Sequence, residues 1–221
     1  MNISDRLEQT LLRPDSMEEE VRLACMGAKS HNLAALALPP VWARFAAIAL
    51  AGSPVRLDVL VGYPLGTHTP SVKGLEARLA LEEGAAEITF VPNLAAYKTG
   101  YRETFSQDVA YTLKQCRLVN PDAVVKVLLY LDLLSQAEQR EVVRLVQENG
   151  GRFLMLASFE NSPVPPATVR RIQALVAERT QLGVFGNIRS WNEAAPFIEL
   201  DIVRLATPFA QEIAKEAASL S

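Results

Sequence analysis

Apolar residues follow two alternating rhythms along this chain. Short β-compatible runs recur at residues 33–38, 56–61, 87–91, 123–131, 152–157, 181–185 and 201–205, with a shorter one at 9–12. Between them lie longer segments, such as 71–83 and 135–149, in which apolar residues return every three or four positions with charges between. Glu83-Gly84 and Asn149-Gly150-Gly151 supply helix stops just before strands. Such alternation predicts parallel strands joined by crossover helices. Eight strands in 221 residues fit a compact closed β/α barrel, a little under the ~250 residues typical of that architecture. An open doubly wound sheet is the alternative, though no Gly-x-Gly-x-x-Gly or Gly-x-x-x-x-Gly-Lys loop supports it.

Composition points to one folded unit. With 49% hydrophobic and 21% charged residues, and no repeat, low-complexity tract or linker, a single domain over residues 1–221 is expected. The formal net charge is −3 and neither half carries a basic block, so nothing draws the chain to a nucleic acid or an anionic membrane. No apolar run approaches the ~20 residues that span a bilayer, and Met1-Asn2-Ile3-Ser4-Asp5-Arg6 lacks a signal-peptide core. A cytoplasmic protein is expected. Cys25 and Cys116 stand far apart and read as free thiols. His31 and His68 come without other ligand residues at metal spacing, so neither a metal nor another cofactor is expected.

Motifs bring in chemistry. In order, the chain contains Leu7-Glu8-Gln9-Thr10-Leu11-Leu12-Arg13-Pro14-Asp15, Val61-Gly62-Tyr63-Pro64-Leu65-Gly66-Thr67 and Val72-Lys73-Gly74-Leu75-Glu76-Ala77-Arg78. Glu87-Ile88-Thr89-Phe90-Val91-Pro92-Asn93 runs into Leu94-Ala95-Ala96-Tyr97-Lys98-Thr99-Gly100, and Val125-Lys126-Val127-Leu128-Leu129 and Gly186-Asn187-Ile188-Arg189-Ser190 follow. Together these segments resemble the deoxyribose-phosphate aldolase family over roughly residues 7–210. The resemblance implies a (β/α)8 TIM barrel of the class I aldolase kind. It also implies metal-free, reversible cleavage of 2-deoxyribose 5-phosphate to glyceraldehyde 3-phosphate and acetaldehyde, with a lysine Schiff base as electron sink.

The departures from that pattern fall on its chemistry. Thr89 stands where the family has the aspartate that shuttles protons, and a threonine hydroxyl does not do this near neutral pH. Met155 stands at the Schiff-base lysine, and a thioether forms no imine. Gly183 stands at the second lysine, whose charge lowers the pKa of the first. By strand alternation Thr89 and Val91, Met155 and Ala157, and Gly183 and Phe185 share inward faces, so this layer should be largely apolar. The phosphate loops are also altered. Gly186, Asn187 and Arg189 remain as weak ligand or phosphate-binding candidates, while Phe159 replaces a glycine and Thr207-Pro208-Phe209 a serine-containing turn.

The expectation is therefore an aldolase-like barrel that has lost Schiff-base activity and serves as a binding or scaffold and regulatory protein. Thr89, Met155 and Gly183 are its degenerate catalytic positions. The alternative is a carbon–carbon lyase acting on deoxyribose 5-phosphate or a related aldehyde or sugar phosphate with a relocated residue. Lys126 is the candidate, with His68 as a loop base behind it. Lys126 also reads as a structural lysine paired with a carboxylate such as Glu8, and Tyr130, at a family carboxylate position, as a core aromatic. Arg13, Lys73, Lys98 and Arg189 would surround a weakly bound small anion if their loops converge, and are surface charges otherwise. For a protein partner, Phe159, Val164, Trp191 and Phe209 are the expected apolar contacts at the mouth. Family members are often dimeric, so a homodimer is a further expectation.

Overall fold

In the computed structural model, which describes residues 3–220, eight parallel strands close into a barrel in sequence order. They are β1 (Leu7–Thr10), β2 (Ala35–Leu38), β3 (Arg56–Val61), β4 (Glu87–Phe90), β5 (Val124–Tyr130), β6 (Phe153–Ala157), β7 (Gln181–Phe185) and β8 (Arg204–Thr207). Glu8 of β1 lies opposite Ala35 on one side and Ala206 on the other, so the sheet has no free edge. That pairing excludes the open doubly wound sheet. Every residue of β2, β4, β6 and β8 is buried, because one face meets the barrel interior and the other an outer layer of helices.

The helices are α1 (Glu18–Ser30), α2 (Ala43–Leu50), α3 (Pro70–Glu82), α4 (Leu94–Lys98), α5 (Arg102–Val119), α6 (Gln136–Glu148), α7 (Pro166–Gln173), α8 (Trp191–Glu199) and α9 (Ala210–Ser219). Local signals place their ends. At α6 the Ser135 hydroxyl accepts from the Glu138 N–H at 3.3 Å, and the Glu138 carboxylate accepts from the Ser135 N–H at 2.7 Å. Past its C-terminus, Gly150 adopts φ +92°, which turns the chain into β6. None of the described helices is long and apolar enough to cross a membrane.

β1 and β8 are shifted furthest from the sequence pattern. β1 starts at Leu7, because that side chain is fully buried in the core. β8 starts at Arg204 instead of residue 201, because Asp201 takes φ +54° in the turn after α8.

One buried ion pair fixes the loops above β3 and β4. Lys73 Nζ donates to Asp108 Oδ2 at 2.5 Å, to the Gly66 carbonyl at 3.0 Å and to the Val91 carbonyl at 3.1 Å, while Asp108 also accepts from the Asn93 N–H. Lys73 is thus an interior residue and not a surface charge. Loop carbonyls turned away from water need a donor, and this lysine supplies it.

Candidate functional site at the barrel mouth

Inward-facing residues of five strands build a charged floor. Lys126 Nζ lies 2.7 Å from Glu8 Oε2, 2.8 Å from Glu87 Oε2 and 3.1 Å from Asp58 Oδ2, wholly shielded from solvent. Arg204 bridges Glu8 and Glu87 at 3.2 and 3.0 Å, and Arg56 reaches Glu87 from the rim. Thr89 Oγ1 donates to Asp58 Oδ2 at 2.6 Å. Asp58, on the neighbouring strand β3, thus places a carboxylate beside Thr89 and takes its hydroxyl hydrogen bond.

Burial pushes the Glu8 carboxyl up to about 8, against the pull of Lys126. Burial alone would also raise Glu87, but Lys126 and Arg204 outweigh it and hold that group below the usual carboxylate range. At Lys126 burial opposes the charge, yet Asp58, Glu8 and Glu87 together raise its pKa. A lysine ringed by carboxylates keeps its proton, whereas imine formation needs the free amine.

Above the floor the strands bring together buried, mostly apolar side chains. Met155 pairs in register with Leu128 and Gly183, and Gly183 with Arg204. A Cβ added at Gly183 would overlap the Met155 sulfur and stand 2.9 Å from the Arg204 carbonyl oxygen. Thr89, Met155 and Gly183 are all buried. Taking Met155 out of water contributes about 1.5–3 kcal/mol, so this layer stabilises the fold.

Two aromatic pairs cover that layer. Tyr130 meets Phe159 edge-to-face at 5.2 Å, and Tyr63 lies 6.0 Å from Phe185. Phe159 stays 45% exposed. Its loop is tied down by Asp132, which accepts from the Ser158 hydroxyl and the Phe159 N–H, both at 2.9 Å. Burial raises the pKa of Tyr63 and Tyr130, so both phenols remain neutral.

The backbone donors that the resemblance assigns to a phosphate have acceptors inside the protein. Gly186 N–H donates to the Ala206 carbonyl at 3.0 Å, Asn187 N–H to the Asn161 carbonyl at 3.2 Å, and Arg189 N–H to Glu193 Oε2 at 2.8 Å. At the start of α9, Gln9 Oε1 accepts from the Gln211 N–H while Gln9 Nε2 donates to the Pro208 carbonyl. Phe209 N–H is taken by Thr207 Oγ1. Between these loops lies a cavity of about 300 Å³ bounded by Thr10, Arg13, Tyr63, Asn161, Phe185 and Gly186.

The four candidate cations do not converge. Arg13 pairs with Asp15 at 2.8 Å, Lys98 pairs with Glu138 at 2.8 Å, Lys73 is interior, and Arg189 sits over the Phe209 ring. His31 hydrogen-bonds the Gly27 carbonyl at the end of α1, and His68 is exposed. Val164 belongs to the core at 3% exposure, because the β6–α7 loop folds back over Gly186; Trp191 and Phe209 are half-buried. Among the described residues no group of His, Cys, Asp and Glu is suited to a metal ion.

The sequence reading missed Asp58, Gln9 and Asp132. Asp58 had a signal, a lone carboxylate inside the apolar run Leu57-Asp58-Val59-Leu60. Gln9 had none, because its partners on α9 lie some two hundred residues away.

No family model matches the chain. Among curated proteins it is 30% identical over 206 residues to a deoxyribose-phosphate aldolase of Streptococcus suis (strain 98HAH33), covering 93% of this chain and 92% of that relative. A deoxyribose-phosphate aldolase of Carboxydothermus hydrogenoformans is 29% identical over 206 residues, covering 93% of this chain and 90% of the relative. Among solved structures, the tetrameric deoxyribose phosphate aldolase of Aeropyrum pernix superposes with TM-score 0.89 at 26% identity, covering 99% of this chain and 92% of that one. An aldolase designated QR15 superposes with TM-score 0.92 at 24% identity over 99% and 97% of the two chains, a likeness of fold.

Proposed function

This chain belongs to the deoxyribose-phosphate aldolase family, and we propose that within it the barrel has given up Schiff-base cleavage and works as a binding or scaffold protein. The observation that carries the proposal is Met155 seated over Gly183, which puts apolar atoms where the two lysines of the family pattern would stand. Thr89 belongs to the same change, since its hydroxyl now donates to Asp58. The internal acceptors on the Gly186, Asn187 and Phe209 N–H groups add support, because a phosphate would have to displace them. Half-exposed Phe159 is the mouth residue best placed to meet a partner.

The test is incubation with 2-deoxyribose 5-phosphate and sodium borohydride, followed by intact-mass measurement and an acetaldehyde assay. No mass increase and no acetaldehyde are expected. A reducible adduct accompanied by turnover overturns the proposal.

The name shared by the relatives favours a second reading, a carbon–carbon lyase acting through a relocated residue such as Lys126. Burial of that amine among three carboxylates weighs against it. Self-association is part of the leading proposal. The Aeropyrum relative is described as tetrameric, and Val72, Leu75 and Leu79 of α3 are exposed along one helical face. Light scattering after size exclusion tests this: a monomer at micromolar concentration removes it.

A further inference from the structure

The cavity at the mouth has a chemistry of its own. Its walls include the Tyr63 and Phe185 rings, 6.0 Å apart and tilted by 58°. Its free polar groups are neutral: the Thr10 hydroxyl, the Tyr63 phenol and the Asn161 side-chain amide. Each lines the cavity without a side-chain hydrogen bond among the described residues. Thr10 is the last residue of β1, and the Asn161 backbone donates to the Ser158 carbonyl and accepts from the Asn187 N–H. Tyr63 keeps its proton because burial raises its pKa.

Among the described residues lining the cavity, no unpaired cation awaits a charged ligand. Arg13, the one cationic residue bounding the cavity, is held by Asp15 through two hydrogen bonds, at 3.0 and 2.8 Å, and has Glu20 at 3.8 Å. The Gly186 N–H, which also borders the cavity, donates to the Ala206 carbonyl. A dianionic phosphate entering here would meet only the neutral donors of Thr10, Tyr63 and Asn161 and no unpaired positive charge to offset the loss of its water, which is costly. A hydroxylated neutral molecule instead meets two hydroxyls, one amide and an aromatic wall for its C–H face. Ligand sites generally combine such apolar walls with a few placed polar groups, and about 300 Å³ is at the small end of their range.

We propose that this cavity binds an uncharged polyhydroxylated ligand of the unphosphorylated sugar or polyol class, selecting against the phosphorylated form. The proposal rests on the reading of the barrel as a binding protein and names the ligand of that site. Thr10 and Asn161 set the orientation by hydrogen bonds, Tyr63 adds a third, and Phe185 completes the stacking surface.

The experiment is saturation-transfer NMR and calorimetric titration of the intact protein with 2-deoxyribose, 2-deoxyribose 5-phosphate and inorganic phosphate as probes. The expected result is saturable binding of 2-deoxyribose with a dissociation constant on the order of 1 mM. Its 5-phosphate should bind at least about tenfold more weakly, since its charge finds no partner, and inorganic phosphate should not bind. Thr10→Val and Asn161→Ala should each weaken sugar binding about fivefold to tenfold, the worth of one hydrogen bond. Asn161 is exposed, so its variant stays interpretable if the Thr10 variant folds poorly. Equal or tighter binding of the 5-phosphate, no binding of the sugar, or binding unchanged in Asn161→Ala overturns the proposal. If no probe binds and no borohydride-reducible adduct forms, this proposal falls while the loss of Schiff-base chemistry stands.

Discussion

The sulfur of Met155 fills the space above Gly183 that any side chain on that residue would occupy. The two positions are adjacent in register on β6 and β7, so each constrains the other. A long apolar side chain on one strand is compatible with the next only because the next carries none.

Gly183→Ala should therefore destabilise the protein by about 1–3 kcal/mol, the usual cost of overpacking. Adding Met155→Ala should recover part of this loss, because the sulfur contact is relieved while the 2.9 Å approach to the Arg204 carbonyl remains. Urea unfolding of the two single variants and the double variant measures the coupling, expected at about 0.5–3 kcal/mol. Additive effects would mean that the two residues do not share this space.

The buried Glu8 carboxyl gives stability a distinct pH dependence. Its folded pKa is raised from the model-peptide value of 4.5 to about 8, so between those values the folded state holds a proton that the unfolded state has released. This contribution is fully present below pH 4.5 and is lost as pH rises through about 8, with a slope of up to about 1.4 kcal/mol per pH unit. Unfolding midpoints taken from pH 5 to 9 should fall more steeply in the wild type than in Glu8→Gln. Parallel profiles would show that Glu8 is ionised in the fold.

Lys126→Met separates structural from chemical roles. Removing the cation shared by Glu8, Asp58 and Glu87 should cost about 3–5 kcal/mol, because buried Asp58 loses its cation while Arg204 still meets Glu8 and Glu87. Thermal and urea unfolding will read this directly. A variant as stable as the wild type that has lost a measurable lyase activity would instead support the relocated-residue reading.

Asp132 ties two mouth loops together, and Asp132→Ala should release the one that carries Phe159. The Phe159 amide would then exchange with solvent at least about tenfold faster, since a local opening free energy falls by more than about 1.4 kcal/mol when a charge-assisted acceptor is lost. Hydrogen exchange followed by NMR checks this. Unchanged exchange at Phe159 would show that packing on Tyr130 alone holds the loop.

Much of this molecule is legible in one dimension. The two rhythms of apolar residues determined the strands and helices, because a strand or helix buries a face set by its own period. The ordered motifs from Leu7 to Ser190 determined the family, and positions 89, 155 and 183 carry Thr, Met and Gly, side chains that neither form an imine nor carry a charge. Closure of the sheet was decided only by the fold, since pairing β1 with β8 is a contact between residues some two hundred positions apart. The same holds for the site. That Asp58 supplies the carboxylate beside Thr89, that Glu8 and Lys126 share a proton-rich floor, and that Gln9 and Asp132 occupy loop donors all depend on atoms brought together from different strands. Local sequence sets periodicity and propensity through neighbouring residues, whereas desolvation and ion pairing arise only where distant segments exclude water together.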